Sequence, residues 1–242
     1  MPCGISDISA VILAGGLGTR LRSVVQDKPK VLAEVAGRPF ISYLLHQISS
    51  AEIRHCVLCT GYLSEQVRAS FGSAFHGMTL AYSEEQMLLG TAGALRFALP
   101  LVQSDPMLVL NGDSYCAADL NAFLSAHQQA KARASIYLTR VNNTSRYGCV
   151  RVSQNGSIVG FEEKGASQGA GLINAGIYLI QKELIQSLPK GKAISLEREV
   201  FPSLLGDRFV GFEGPHDIFI DIGTPDSYQQ ADALFRTWER GA

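Results

Sequence analysis

The sequence is poor in the features that mark specialised protein classes. It has one tryptophan and five cysteines in 242 residues, and Cys3, Cys56, Cys59, Cys116 and Cys149 follow no regular spacing. An odd, irregular set argues against a disulfide scaffold and is the pattern expected of reduced thiols in a cytoplasmic protein. Positive charge is not in excess, since 21 basic side chains face 22 acidic ones for a net charge of −1. A broad nucleic-acid footprint needs clustered lysine and arginine, so nucleic acid is not expected as a partner. No apolar run reaches the roughly 18 residues of a membrane span. Residues 1–7 lack the basic and apolar regions of an export signal. Internal repeats, low-complexity tracts and linkers are missing as well. What remains is 46% hydrophobic and 18% charged, the composition of a folded domain with a sizeable core.

Short β-branched runs alternate with helical stretches over the first two-thirds of the chain. Residues 7–13, 53–59, 78–82, 107–110 and 135–141 read as strands. Between them, Pro39 opens a helix with Phe40, Tyr43, Leu44 and Ile48 on its apolar face. Residues 64–71 form a second helix, Gly90-Thr91 caps a third that Pro100 stops, and Asp119 caps a fourth. This rhythm predicts parallel βαβ units, an α/β fold with helices on both faces of the sheet. Beyond Tyr147 the rhythm changes. Gln154-Asn155-Gly156 between two β-branched runs predicts a hairpin. A strand over 172–180, a helix headed by Ser195, two further strands and a helix opened by Thr224-Pro225 complete the expected order.

The sharpest chemical signal follows the first strand: Leu13-Ala14-Gly15-Gly16-Leu17-Gly18-Thr19-Arg20-Leu21. Three glycines in four positions let backbone N–H groups turn towards an anion, because no β-carbon blocks the approach. Arg20 adds a fork of donors suited to phosphate. The third glycine of a dinucleotide fingerprint is absent, because Leu21 stands there, and no Gly-Lys-Ser/Thr of a Walker loop follows. Pro29 stiffens the chain beside Lys30, a candidate point charge, while Lys28 is expected to be solvated. Asn111-Gly112-Asp113 ends the fourth strand at the edge where open α/β sheets bind ligands. Asp221, between apolar neighbours, needs a partner if it is buried. Two carboxylates plus nucleotide phosphates are a common way to hold Mg²⁺.

These segments, with Leu89-Gly90-Thr91-Ala92-Gly93, Glu163-Lys164, Asn174-Ala175-Gly176-Ile177-Tyr178 and Asp221-Ile222-Gly223-Thr224-Pro225, stand in the order found in sugar-1-phosphate nucleotidylyltransferases. The resemblance covers about residues 8–232. Within that family the chain most resembles the D-glycero-α-D-manno-heptose 1-phosphate guanylyltransferases. The resemblance implies a Rossmann-like fold with a mixed, mostly parallel central sheet and a small β-rich sugar-binding subdomain. The implied parts are about 1–145 for the nucleotide, about 146–222 for the sugar, and a C-terminal helix over 224–240. The backbone from Leu13 to Gly18 with Thr19 would hold the triphosphate, Arg20 its β- and γ-phosphates, and Lys30 the space between the two substrates' phosphates. Glu85 with Gly90, Thr91 and Ala92 would frame the base, with Asn111 and Gly112 also on the nucleotide side. Asp113 and Asp221 would ligate Mg²⁺. Tyr147, Gly148, Glu163 and Asn174 would hold sugar hydroxyls, and Lys164 the sugar's phosphate. Two positions depart from the pattern: Val31 follows Lys30, and Gly165 follows Lys164, where prolines are common.

The implied reaction joins two polyanions, GTP and a sugar 1-phosphate, so positioning and charge neutralisation dominate the barrier. Mg²⁺ with Arg20, Lys30 and Lys164 supplies the charge, and no protein nucleophile is required. A carboxylate at Glu85, or at its neighbour Glu84, accepts from guanine N1–H and N2–H₂ together; uracil or thymine N3–H remains an alternative. Mannose 1-phosphate is the alternative acceptor, and a nucleotide-sugar-sensing paralogue the non-enzymatic one. A glycosyltransferase would more often carry Asp-x-Asp, whereas here Asp113-Ser114-Tyr115 stands. Cys56 and Cys59 are expected to be buried thiols, and His46 and His127 surface residues on helices. The sequence leaves open whether the protein is a homo-oligomer.

Overall fold

The computed structural model describes residues 3–16, 18, 21, 24, 27–162, 169–214 and 218–241, the side chains of 238–241 excepted. The strands are β1 (Ser9–Leu13), β2 (Glu34–Val35), β3 (Arg38–Pro39), β4 (His55–Thr60), β5 (Ala74–Phe75), β6 (Met78–Glu84) and β7 (Met107–Asn111). They continue with β8 (Ser114–Cys116), β9 (Ala134–Val141), β10 (Val150–Val152), β11 (Ile158–Phe161), β12 (Gly171–Ile180), β13 (Phe209–Glu213) and β14 (Phe219–Asp221). The helices are α1 (Phe40–Ser50), α2 (Ser64–Phe71), α3 (Gly90–Ala98), α4 (Leu120–Gln129), α5 (Lys182–Gln186), α6 (Phe201–Ser203) and α7 (Pro225–Gly241).

Eight strands form one sheet in the order β13-β9-β12-β7-β1-β4-β6-β5. β1 is parallel to both β4 and β7, β4 to β6, and β9 to β13. Only β12 and the short β5 run against their neighbours in this sheet. The sheet is thus mixed and mostly parallel, as expected. β1 has no polar alternation because both of its faces are covered. Ala10 and Ile12 join α1 and α4 in one core cluster, whereas Val11 joins α3 and α5 in the other. A third cluster packs Phe235 and Ala231 of α7 against Leu21, Phe40 and Ile222. β12 lies between β7 and β9, so the second part of the chain supplies a central strand.

The Asn155-Gly156 hairpin forms between β10 and β11, with Gly156 at φ +80°. Asp119 caps α4 through Oδ1 to the Ala122 N–H at 2.9 Å. Thr91, expected to cap α3, does not: the helix starts at Gly90 without a side-chain cap. The Ala92 and Gly93 N–H groups go instead to the Ile194 carbonyl, at 2.9 and 3.3 Å. His127 is buried rather than at the surface, its Nδ1 2.7 Å from Ser135 Oγ on β9. His46 is half-buried against the rings of Phe75 and His76. Cys56 and Cys59 are buried free thiols as expected, and Lys28 pairs with Glu34 at 2.9 Å in an exposed setting. The two-residue strands β2, β3 and β5, and the three-residue β8, carry no periodic signal long enough to read.

Candidate active site

The carboxyl ends of β1, β4 and β7 open into a cleft of ≈490 Å³. Its rim is set by two backbone bonds: Ala14 N–H donates to the Cys59 carbonyl at 2.8 Å, and Gly112 N–H to the Leu13 carbonyl at 2.9 Å. Gly112 allows this crossing, because a β-carbon there would stand 2.6 Å from that carbonyl. Leu13, Ala14, Gly15, Gly16 and Gly18 line the cleft together with Lys30, Glu85, Gly90, Thr91, Asn111 and Asp113. Leu17, Thr19, Arg20, Glu163 and Lys164 lie outside the described residues.

Lys30 lays its stem along Gly18, whose φ of +59° takes the chain past it. Its Nζ reaches Asp113 Oδ2 at 2.7 Å, with the lysine side chain 11% exposed and the aspartate 45%. The same Nζ lies 3.8 Å from the β-carbon position of Gly223, beside Asp221.

Asp113 and Asp221 are 108 positions apart in sequence and adjacent in space. β14 pairs antiparallel with β8, setting Asp221 opposite Ser114, and Ile222 N–H donates to the Asp113 carbonyl at 2.9 Å. Asp221 Oδ1 accepts from Gly223 N–H at 2.8 Å and Ser227 Oγ at 3.1 Å; Oδ2 accepts from the Tyr147 hydroxyl at 2.8 Å and Arg146 at 3.2 Å. Burial opposes its charge, but the Tyr147 and Gly223 hydrogen bonds, the Arg146 guanidinium and Ser227 outweigh that and hold the carboxyl below its ordinary range. Burial and the bond to Asp221 push Tyr147 up to about 12. Both aspartates offer the hard oxygen donors a divalent cation takes. No group of three or more potential metal-ligating side chains occurs among the described residues. A cation held by two carboxylates would complete its shell from substrate phosphates and water.

At one wall of the cleft, Glu85 is half-buried against Gly15 and Gly61. Burial raises its carboxyl, partly offset by the Leu89 N–H bond to Oε2 at 3.2 Å. Gly90 is at φ +68° and is packed on Ile194, where a β-carbon would stand 2.6 Å from the carbonyl oxygen. Thr91 Oγ1 accepts from Leu196 N–H at 2.7 Å and donates to Glu197 Oε2 at 3.0 Å. Gly148 is packed on the Glu162 carbonyl. Asn174 uses both ends of its amide internally, taking Gly176 N–H at 2.8 Å and donating to the Tyr178 hydroxyl at 3.0 Å. It holds the bulge at Gly176, φ +76°, where β12 shifts register on β9.

Sequence reasoning assigns no site role to four contributors: Arg146 and Ser227 on Asp221, and Tyr178 and Glu197 beneath the cleft. The signal for Ser227 was available. Thr224-Pro225-x-Ser227 closes a reciprocal cap, Thr224 N–H to Ser227 Oγ at 3.1 Å and Ser227 N–H to Thr224 Oγ1 at 3.3 Å. For Tyr178 and Glu197 no sequence spacing announces a contact between a strand and the helical turn Leu196–Val200.

Residues 9–237 match the model of the nucleotidyl transferase family. A mannose-1-phosphate guanylyltransferase of Mycobacterium tuberculosis is 35% identical over 229 residues, which span 93% of this chain and 64% of that protein, so this chain falls short of two-thirds of it. A D-glycero-α-D-manno-heptose 1-phosphate guanylyltransferase of Aneurinibacillus thermoaerophilus is 34% identical over 93% of this chain and 96% of its own. The crystal structure of HddC from Yersinia pseudotuberculosis complexed with GMP-PN superposes with a TM-score of 0.84 at 31% identity, covering 94% of this chain and 99% of that one. With its mixed sheet, glycine-lined cleft and paired aspartates, the chain belongs to the nucleotidyl transferase family.

Proposed function

We propose that this protein transfers a guanylyl group from GTP to D-glycero-D-manno-heptose 1-phosphate, giving GDP-heptose and pyrophosphate. The observation that carries the reading is the meeting of Asp113 and Asp221 beside Lys30 and the glycine loop. That arrangement suits a reaction between polyanions, in which a sugar-phosphate oxygen attacks the α-phosphorus and the bond to pyrophosphate breaks.

Each residue has a task in this reading. The glycine-loop backbone from Leu13 to Gly18, with Thr19 and Arg20, receives the triphosphate. Lys30, anchored on Asp113, neutralises charge where the two substrates meet. Asp113 and Asp221 hold Mg²⁺, which when bound supplies charge neutralisation to the transferring phosphoryl group. Glu85, with Gly90, Thr91 and Ala92 around it, accepts from the guanine N1–H and N2–H₂ edge. Tyr147, Gly148, Glu163, Lys164 and Asn174 belong to the sugar-phosphate side, Tyr147 and Asn174 by holding Asp221 and the β12 bulge in place.

The heptose is favoured by the relatives: D-glycero-α-D-manno-heptose 1-phosphate guanylyltransferases at 34% and 33% identity match over 93% and 91% of this chain. Mannose 1-phosphate is the second reading, favoured by the 35% identity to the mycobacterial mannose enzyme. The test crosses four nucleoside triphosphates with heptose, mannose and glucose 1-phosphates and follows pyrophosphate release. The highest kcat/KM is expected for GTP with the heptose phosphate. Release with UTP or dTTP alone overturns the guanylyl assignment, and preference for mannose 1-phosphate selects the second reading.

A further inference from the structure

Each of the two aspartates proposed to hold the divalent cation already carries one organic cation, and the two pairs are built in opposite ways. Asp113 is the exposed partner of a nearly buried lysine, Lys30. Asp221 is the buried partner, 18% exposed, of an arginine that is 43% exposed, Arg146. Arg146 reaches Asp221 Oδ2 at 3.2 Å and Thr224 Oγ1 at 3.5 Å, both through Nη2. Among the described residues its Nε and Nη1 have no hydrogen-bond partner. Most of a planar fork of donors is thus uncommitted, on a side chain that solvent reaches.

The turn that carries this guanidinium is well fixed. Tyr147 N–H donates to the Thr144 carbonyl at 2.8 Å, and buried Thr144 donates its own N–H to the Gly169 carbonyl at 3.0 Å. Arg146 Cζ also lies 5.5 Å from the centre of the Tyr147 ring, whose hydroxyl bonds the same Oδ2. Both oxygens of Asp221 already accept two bonds, so a metal ion has to replace one donor. The Arg146 bond is the longest of the four and the one made by an exposed side chain. The guanidinium stays charged, so it and a divalent cation on Oδ2 would repel each other at close range. An anion between them relieves that repulsion. Phosphate oxygens are the anions that the substrates bring to such a cation, and a guanidinium fork suits them.

We propose that Arg146 is a phosphate-binding residue of this site: its guanidinium rests on Asp221 in the free protein and turns to a phosphate oxygen of a bound substrate when a divalent cation takes that carboxylate. This rests on the transferase reading above and adds a further cation to it. Both substrates carry phosphate, and the experiment tells the two sources apart.

Arg146→Met keeps most of the stem and removes the charge, whereas Arg146→Lys keeps the charge without the fork. Mn²⁺ binding to the substrate-free protein, followed by electron paramagnetic resonance, should tighten about fivefold in Arg146→Met, the effect of one charge at about 4 Å in water. Arg146→Lys should stay near the wild-type affinity. In pyrophosphate-release assays with Mg²⁺, the KM for a substrate should rise about 10- to 100-fold in Arg146→Met, the loss of a charge-assisted hydrogen bond. Arg146→Lys should recover part of it. A rise for GTP gives the phosphate to the nucleotide, a rise for the sugar 1-phosphate gives it to the acceptor, and a rise for both places Arg146 where the two meet. Unchanged KM values for both substrates overturn the proposal. So does Mn²⁺ binding that is unchanged or weaker in Arg146→Met, the weaker case being expected if Arg146 only props Asp221 in place. Should the wild-type protein turn over only another nucleotide or sugar phosphate, the guanylyl or heptose reading falls, and the variant-to-wild-type ratios are read with that pair.

Discussion

Glu85 and Gly15 are packed so closely that a β-carbon on the glycine would overlap the carboxylate oxygen Oε1. The glycine at this position is therefore needed to seat Glu85 in the cleft wall, besides any role in the proposed anion loop. Two substitutions disturb this contact by different routes. Glu85→Gln turns half of the acceptor into a donor, and Gly15→Ala pushes the carboxylate out of place. Glu85→Gln should lower kcat/KM for GTP by about 10- to 100-fold, the range of a charge-assisted hydrogen bond, with UTP affected much less, whereas Gly15→Ala, which also alters the anion loop, should lower both. Equal losses for both nucleotides in steady-state assays of Glu85→Gln would remove Glu85 from base recognition.

The distinction between what could and could not be read from the sequence follows the range of the interactions. The glycine loop, the Asp119 cap and the Asn155-Gly156 hairpin are local, set by neighbours within a few residues, and they were legible. The pairing of Asp113 with Asp221 was inferred from chemistry, but its means was not. It depends on β8 and β14, three residues each and held by one another, and strands this short carry no pattern. His127 misled for the opposite reason. A histidine on a helix reads as a surface residue until β9 brings Ser135 to its Nδ1. Tyr178 stands in a strand and in a motif of the resemblance without a role of its own, because only tertiary contact turns its hydroxyl into the hub joining Asn111, Asn174 and Glu197.

The Lys30–Asp113 pair predicts a stability effect that activity data alone would hide. Lys30 is nearly buried, so Asp113→Ala leaves its ammonium without the carboxylate that compensates it. The variant should lose turnover and also about 1–2 kcal/mol of unfolding free energy, a value discounted from a fully buried pair because Asp113 is half exposed. Asp113→Ala with Lys30→Met should regain most of that stability and none of the activity. Urea titrations of the two single variants and the double variant measure the coupling, and additive losses would show that the ion pair contributes nothing to the fold.

Asp221 is held differently, by four donors on two oxygens. Asp221→Asn keeps the shape and removes the charge, so divalent-cation affinity should fall at least tenfold while the fold persists. Tyr147→Phe removes one charge-assisted donor from Oδ2, a bond of about 1.5–3 kcal/mol, but leaves the charge on Asp221 in place, so cation affinity should change less than in Asp221→Asn. Mn²⁺ titration followed by electron paramagnetic resonance in the presence of GTP reads both. Chelation with EDTA should stop pyrophosphate release, with recovery on adding Mg²⁺; full turnover in EDTA would remove the cation from the reaction.

Buried His127 makes the fold acid-sensitive in a defined window. Burial pushes its pKa down to about 4, against 6.5 for a free histidine. Between those values the unfolded chain binds a proton that the folded protein refuses, so protonation favours unfolding. Stability from this residue is complete above about pH 6.5 and declines as the pH falls towards 4, by about 2 kcal/mol at pH 5. His127→Gln is less stable at pH 7 through lost packing, yet its stability should change less between pH 7 and pH 5 by that amount. His46 and His55 are lowered by burial too, so the comparison must be the difference between wild type and variant, not the wild-type slope. Guanidinium midpoints at both pH values give it, and parallel pH curves for the two proteins would place the acid sensitivity elsewhere.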